Sequence, residues 1–158
     1  MAGEVRAFHR GLRGYAPTPL VDLPSLAADL GVGRVLAKDE SNRLGLPAFK
    51  ALGASWAVHR VLLGAHPDVR VVAATDGNHG RAVARFARTL GHDAEIYVPA
   101  AVSAVAVAAI ADEGASVTVV DAPYDETVAL AARAAEALGA VLVQDTAWSG
   151  YELSLIHI

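Results

Sequence analysis

Val69-Arg70-Val71-Val72-Ala73-Ala74-Thr75-Asp76-Gly77-Asn78-His79-Gly80 decides the architecture. Residues 69–75 are almost continuously apolar, the pattern of a short strand covered on both faces, as strands of a parallel sheet are. Asp76 to His79 then read as a turn, and a helix is expected over 80–90. Outward from there the rhythm repeats. A strand is expected over 94–98, a helix over 103–112 closed by Gly114, a strand over 116–120, a helix over 125–138 closed by Gly139, and a strand over 140–143. Four strands alternating with helices predict an α/β fold with a parallel sheet and helices on both faces. The spacing is the period of strand-helix units, because no motif is shared between them.

Towards the amino terminus the pattern weakens. A helix is expected over 48–63 with Pro47 in its first turn, a short strand over 34–38 and a short helix over 24–30 stopped by Gly31 and Gly33. The start reads as irregular, with Pro17 and Pro19 fixing an extended segment. The end, Leu153-Ser154-Leu155-Ile156-His157-Ile158, has no cap or charged tail, so the chain is expected to be the amino-terminal part of something longer.

Composition narrows the function. The chain has 158 residues, 54% hydrophobic and 19% charged, with a net charge of -4 and no cysteine. A mean hydropathy of +0.37 excludes a disordered tail. A mildly acidic chain without a Lys/Arg cluster offers no footprint for nucleic acid or anionic lipid. Without cysteine there is no disulfide framework and no thiolate metal site. No signal peptide and no membrane span is readable, which makes the cytoplasm the default location.

Eleven arginines but only two lysines, Lys38 and Lys50, draw attention to Lys50 in Pro47-Ala48-Phe49-Lys50-Ala51-Leu52-Gly53-Ala54. Partial burial and the positive end of a helix dipole both disfavour an ammonium there, and a neutral amine is the nucleophile of Schiff-base chemistry. A lysine snorkelling from a helix end fits the same residues. Thr75-Asp76-Gly77-Asn78-His79-Gly80 stands where ligands bind in open parallel sheets, at the carboxyl end of a strand. There Asp76 offers a base and Asn78 a donor and an acceptor, although both also suit local capping. Asp145, again just past a strand, reads either as a second carboxylate at that edge or as part of a capped loop with Trp148 as packing. His79 with Asp76 lacks a third metal ligand, so no metal site is expected.

Together, Pro17-Thr18-Pro19-Leu20, Lys38 to Leu46, Phe49 to Ala54 and Asp76-Gly77-Asn78-His79-Gly80 resemble, in kind and order, the fold-type II pyridoxal-phosphate enzymes of the tryptophan synthase beta family. Asp76 before Gly-Asn-His-Gly, and Gln144-Asp145-Thr146-Ala147-Trp148-Ser149-Gly150-Tyr151, resemble that family's diaminopropionate ammonia-lyase branch. The resemblance implies that Lys50 carries pyridoxal 5'-phosphate on its amine, that Asn78 bonds the cofactor's phenolic oxygen, and that Phe49 and Gly77 line the cofactor. It implies that Asp76 is a substrate-proton base for the D isomer, Lys50 the base for the L isomer, and Asp145 a substrate contact. The products would be pyruvate and ammonia, and the full-length protein a homodimer. It also implies a division into residues 1–47 of an incomplete large domain, a small α/β domain over 48–143, and a return towards the large domain over 144–158. The family's glycine-rich phosphate loop and pyridine-nitrogen ligand are not in this sequence, so the isolated chain is expected to be inactive. A threonine or serine dehydratase of the same fold, and a non-catalytic domain that keeps the fold, are the alternatives.

Overall fold

The computed structural model describes residues 2–146. The chain divides into two compact units, Met1–Phe49 and Lys50–Ile158.

The first unit comprises α1 (Ala2–Gly11), β1 (Leu20–Asp22), α2 (Pro24–Asp29) and β2 (Leu36–Lys38). The helix α1 corrects the expectation of an irregular start. Val5, Phe8, His9 and Leu12 are spaced as one helical face and are less exposed than their neighbours. Glu4 in the first turn and His9 and Arg10 in the last complement the dipole, whereas Gly3 and Gly11 hide this signal in the sequence. The segment after Pro19 becomes β1, which pairs antiparallel with β2 in the register Leu20 to Lys38 and Asp22 to Leu36.

Few apolar side chains are buried in this unit, and a charged group occupies its centre. Arg43, 5% exposed, donates through Nη1 to the Ala16 carbonyl at 2.9 Å, through Nη2 to Thr18 Oγ1 at 2.7 Å and through Nε to Glu40 Oε2 at 2.6 Å. Thr18 also donates to Glu40, and the Arg43 guanidinium lies 5.8 Å from the centre of the Tyr15 ring. The proline-rich segment and the turn after β2 are thus joined by a fully hydrogen-bonded ion pair, the condition under which a buried charge is tolerated.

The second unit runs α3 (Lys50–Leu62), β3 (Val71–Ala74), α4 (Asn78–Thr89), β4 (Ala94–Pro99), α5 (Ala104–Ala111), β5 (Ser116–Val120), α6 (Tyr124–Leu138) and β6 (Val141–Leu142). Its sheet is parallel throughout, in the order β5-β4-β3-β6. Two helix starts differ from expectation. Pro47 lies before α3 rather than in its first turn, so Lys50 is the first helical residue. The helix α4 opens at Asn78, not Gly80.

Registers sort the two faces. Val71 and Ala73 stand beside Ala94 and Ile96, while Val72 and Ala74 stand beside Glu95 and Tyr97. The second set packs with Ala131 and Ala135 of α6. The first set faces α4, where a Cβ on Gly80 would meet Ile96 Cγ2 at 2.8 Å. Helices therefore flank the sheet on both faces, as the apolar strands require. Ile96 and Ile110 are fully buried, which stabilises the unit by about 1.5–3 kcal/mol per side chain. Among the described residues no helix is long and apolar enough to cross a membrane.

Candidate active site

Strand order places the site. The chain builds β3, β4 and β5 outward in one direction, then returns through α6 to lay β6 on the other side of β3. α4 packs on one face of the sheet and α6 on the other, so the carboxyl ends of β3 and β6 form the edge at which open parallel sheets bind ligands. Asp76 follows β3 and Asp145 follows β6, so the topology delivers both carboxylates to one sheet edge. Gln144 fastens the second loop to the first strand, its Oε1 accepting from the Ala74 amide at 2.7 Å inside the core.

The structure joins Lys50 to Asp145 across 95 positions of sequence by an ion pair between Nζ and Oδ2. The two side chains are 34% and 21% exposed, which leaves the pair reachable. Burial pushes the Asp145 carboxyl up, but hydrogen bonding from Lys50, with help from the Lys50 charge and the Tyr124 hydroxyl, holds it below the usual carboxylate range. Tyr124, the first residue of α6, donates its hydroxyl to Asp145 Oδ1 at 3.3 Å. Burial, followed by the charges of Asp145 and Asp76, pushes that phenol up to about 12, so at neutral pH it keeps its proton and donates it to the carboxylate. The influence of Asp76 on the phenol puts this carboxylate in the same electrostatic neighbourhood.

The turn between β3 and α4 is built differently from the local caps that Asp76 and Asn78 would form. Gly77, with φ at 151°, makes no side-chain cap. Instead Thr75 Oγ1 accepts from the amides of Gly77 at 2.9 Å and Gly80 at 3.1 Å. Thr75 is buried, while Asp76 and Asn78 are exposed with side chains not committed to capping. His79 lies inside, 2% exposed. Its Nε2 donates to the Val143 carbonyl at 2.9 Å, and burial lowers its pKa, so the ring is a neutral strut between α4 and the end of β6. Phe49 belongs to the first unit and is 51% exposed.

Two participants escaped sequence reasoning. Tyr124 carried a usable signal, since Asp121-Ala122-Pro123-Tyr124 begins just past β5 at the same sheet edge. Thr75 reads as the last residue of a strand, and nothing local distinguishes its hydroxyl from a packing methyl. The motif residues Glu40 and Arg43 form the ion network of the first unit, and Lys38 donates to the Thr18 carbonyl. Trp148 and its neighbours over 147–158 lie outside the described residues.

Similarity to known proteins follows the same residues. The family model described as pyridoxal-phosphate dependent enzyme matches residues 12–153. The chain is 44% identical to the diaminopropionate ammonia-lyase of Salmonella typhimurium, an alignment covering 94% of this chain and 42% of that protein. It superposes with a TM-score of 0.90 and 42% identity on the Escherichia coli diaminopropionate ammonia-lyase in complex with an aminoacrylate-PLP azomethine reaction intermediate, covering 97% of this chain and 43% of that one. Identity to a chloroplastic biosynthetic threonine dehydratase of Solanum lycopersicum is 31%, over 80% of this chain and 20% of that protein. The chain thus spans about two fifths of the length of the ammonia-lyases it matches.

Proposed function

Because the chain belongs to the pyridoxal-phosphate dependent enzyme family, we propose that it carries the lysine-bearing part of a lyase that eliminates ammonia from 2,3-diaminopropionate. The whole activity is proposed for a protein of the relatives' length, acting as a homodimer. The observation that carries this reading is the meeting of Lys50 with Asp145 at the strand-order reversal, beside the turn that bears Asp76 and Asn78.

The residues fit the cofactor. Lys50 offers a primary amine to an aldehyde, Asn78 an exposed amide to a ring oxygen, and Gly77 an open backbone with only Ala106 Cβ as near as 4.0 Å to where a side chain would start. Lys50, Gly77 and Asn78 would hold it. When bound, pyridoxal phosphate supplies an electron sink that makes a substrate's α-proton removable. In our reading Asp76 accepts that proton from the D isomer, and Lys50 accepts it from the L isomer. Asp145 holds the Lys50 amine in the resting site and offers a carboxylate to the substrate's amino group, while the Tyr124 hydroxyl fixes the rotation of that carboxylate. The β amino group leaves as ammonia, the released 2-aminoacrylate takes up one water and sheds its α amino group, and the products are pyruvate and two molecules of ammonia.

Borohydride reduction in the presence of pyridoxal phosphate, followed by peptide mapping, is expected to label Lys50 and spare Lys38, the other lysine in the sequence. Lys50→Ala should remove the label, whereas a label on Lys38 or on neither lysine contradicts the assignment. A dehydratase acting on hydroxy amino acids is the second reading, supported by the similarity to threonine dehydratase. Asp76→Ser separates the two. Loss of a positioned base is expected to lower ammonia release from D-diaminopropionate by about 100-fold or more and to shift the preference towards serine and threonine. An unchanged substrate ratio would favour the dehydratase, and an unreactive Lys50 a non-catalytic domain.

A further inference from the structure

Beyond its first turn, α4 carries Arg81, Arg85 and Arg88 at spacings of four and three, which stacks them on one face of the helix. All three reach one carboxylate, that of Glu113 in the turn after α5. Arg81 Nε donates to Oε1 at 3.0 Å, Arg85 grips both oxygens through Nε and Nη2, and Arg88 Nη2 stands 3.6 Å from Oε2. The Glu113 side chain is 4% exposed, while the arginines are 29%, 28% and 53% exposed in sequence order.

The charges do not balance. One bidentate arginine is enough to partner a carboxylate, and like charges four apart on a helix repel. Three guanidinium groups around one carboxylate leave two positive charges in excess. They are also held in place. Arg88 Nη1 donates to the Asp112 carbonyl at 3.3 Å, and its side chain lies across Gly114, where φ is 97° and a Cβ would stand 3.0 Å from Arg88 Cδ. Among the described residues, both Nη groups of Arg81 and the Nη1 group of Arg85 make no hydrogen bond, so oriented donors remain.

We propose that Arg81, Arg85 and Arg88 form an oxyanion site, with Glu113 as a built-in anion that fills its inner side and a phosphate group as the external ligand. The forked guanidinium donors match phosphate oxygens, and the two excess charges match a phosphate dianion. The site is centred on Glu113 in the turn after α5 and extends along α4 from Arg81, about 4.5 Å beyond Asn78 along the helix axis, to Arg88, about 15 Å beyond it.

Isothermal titration of the 158-residue chain with inorganic phosphate, against sodium chloride of equal ionic strength, tests this. Saturable binding to phosphate alone is expected. Arg88→Gln should weaken it about fivefold or more and Glu113→Gln tighten it about tenfold, since the first removes one charge-assisted hydrogen bond to the ligand and the second frees guanidinium donors for it. A phosphate monoester that competes identifies a phosphorylated small molecule as the ligand class, and failure to compete assigns the site to free phosphate. Heats equal to those with chloride, or an affinity indifferent to Arg88→Gln, would overturn the proposal. Should Glu113→Gln fail to fold, Arg88→Gln at the most exposed of the three positions decides alone.

Discussion

Thr75 does two jobs with one side chain, and its hydroxyl can be removed without changing its shape. Thr75→Val deletes the acceptor for two amides at the start of α4, and the loss of such a cap costs about 1–2 kcal/mol. Thr75→Ser keeps it and should stay close to the parent in urea unfolding. His79 makes a second prediction. Its folded pKa is lowered by burial from 6.5, so below that value the unfolded chain binds a proton that the folded chain refuses. The contribution is fully present above 6.5 and is lost as pH falls towards the folded value, with a slope of at most about 1.4 kcal/mol per pH unit. Melting temperature should drop between about pH 7 and 5, and His79→Gln should flatten the drop. Much of the site is legible at this scale. Asp76, Asn78 and Asp145 each follow a strand, and a chain of alternating strands and helices has one ligand-binding edge. The partnership of Lys50 with Asp145 is not legible, because it exists only once β6 has returned beside β3.

Among elements, the approach of α4 to the sheet depends on a missing methyl group. At Gly80 a Cβ would fall 2.3 Å from Thr75 Cγ2 and 2.8 Å from Ile96 Cγ2. Alanine raises helix propensity by about 1 kcal/mol, but forcing helix and sheet apart costs about 1–3 kcal/mol or more. Gly80→Ala is therefore expected to destabilise by up to about 2 kcal/mol in denaturant titration, and a stabilised variant would show that the helix can move away at little cost. Strands and helices of the second unit were readable because burial on both faces writes long apolar runs. By contrast, α1 was not readable, since glycines flank its apolar face, and β1 was visible only as an extended segment because three residues carry no period of their own.

For the whole molecule, the two units differ in what fills them. The buried hydrophobic residues of the first are Ala27 and Leu46, while those of the second include Val71, Val72, Ile96, Val98, Ile110 and Val143. Amides of β3 and β4 should therefore be the slowest to exchange with deuterium, and those of β1 and β2 should exchange at lower opening cost. Equal protection in both would contradict this ordering. The regular rhythm of apolar strands and helices begins only after the first fifty residues. The structure divides the chain between Phe49 and Lys50. The charged centre at Arg43 bears on temperature. A unit organised by a guanidinium and a carboxylate exposes little hydrocarbon when it opens, so its heat-capacity increment is small and its stability curve shallow. Desolvation of ion pairs also becomes less costly on warming. The sheet unit, rich in buried hydrocarbon, follows a steeply domed curve instead, so cooling erodes its hydrophobic core while leaving the arginine-centred unit comparatively unchanged.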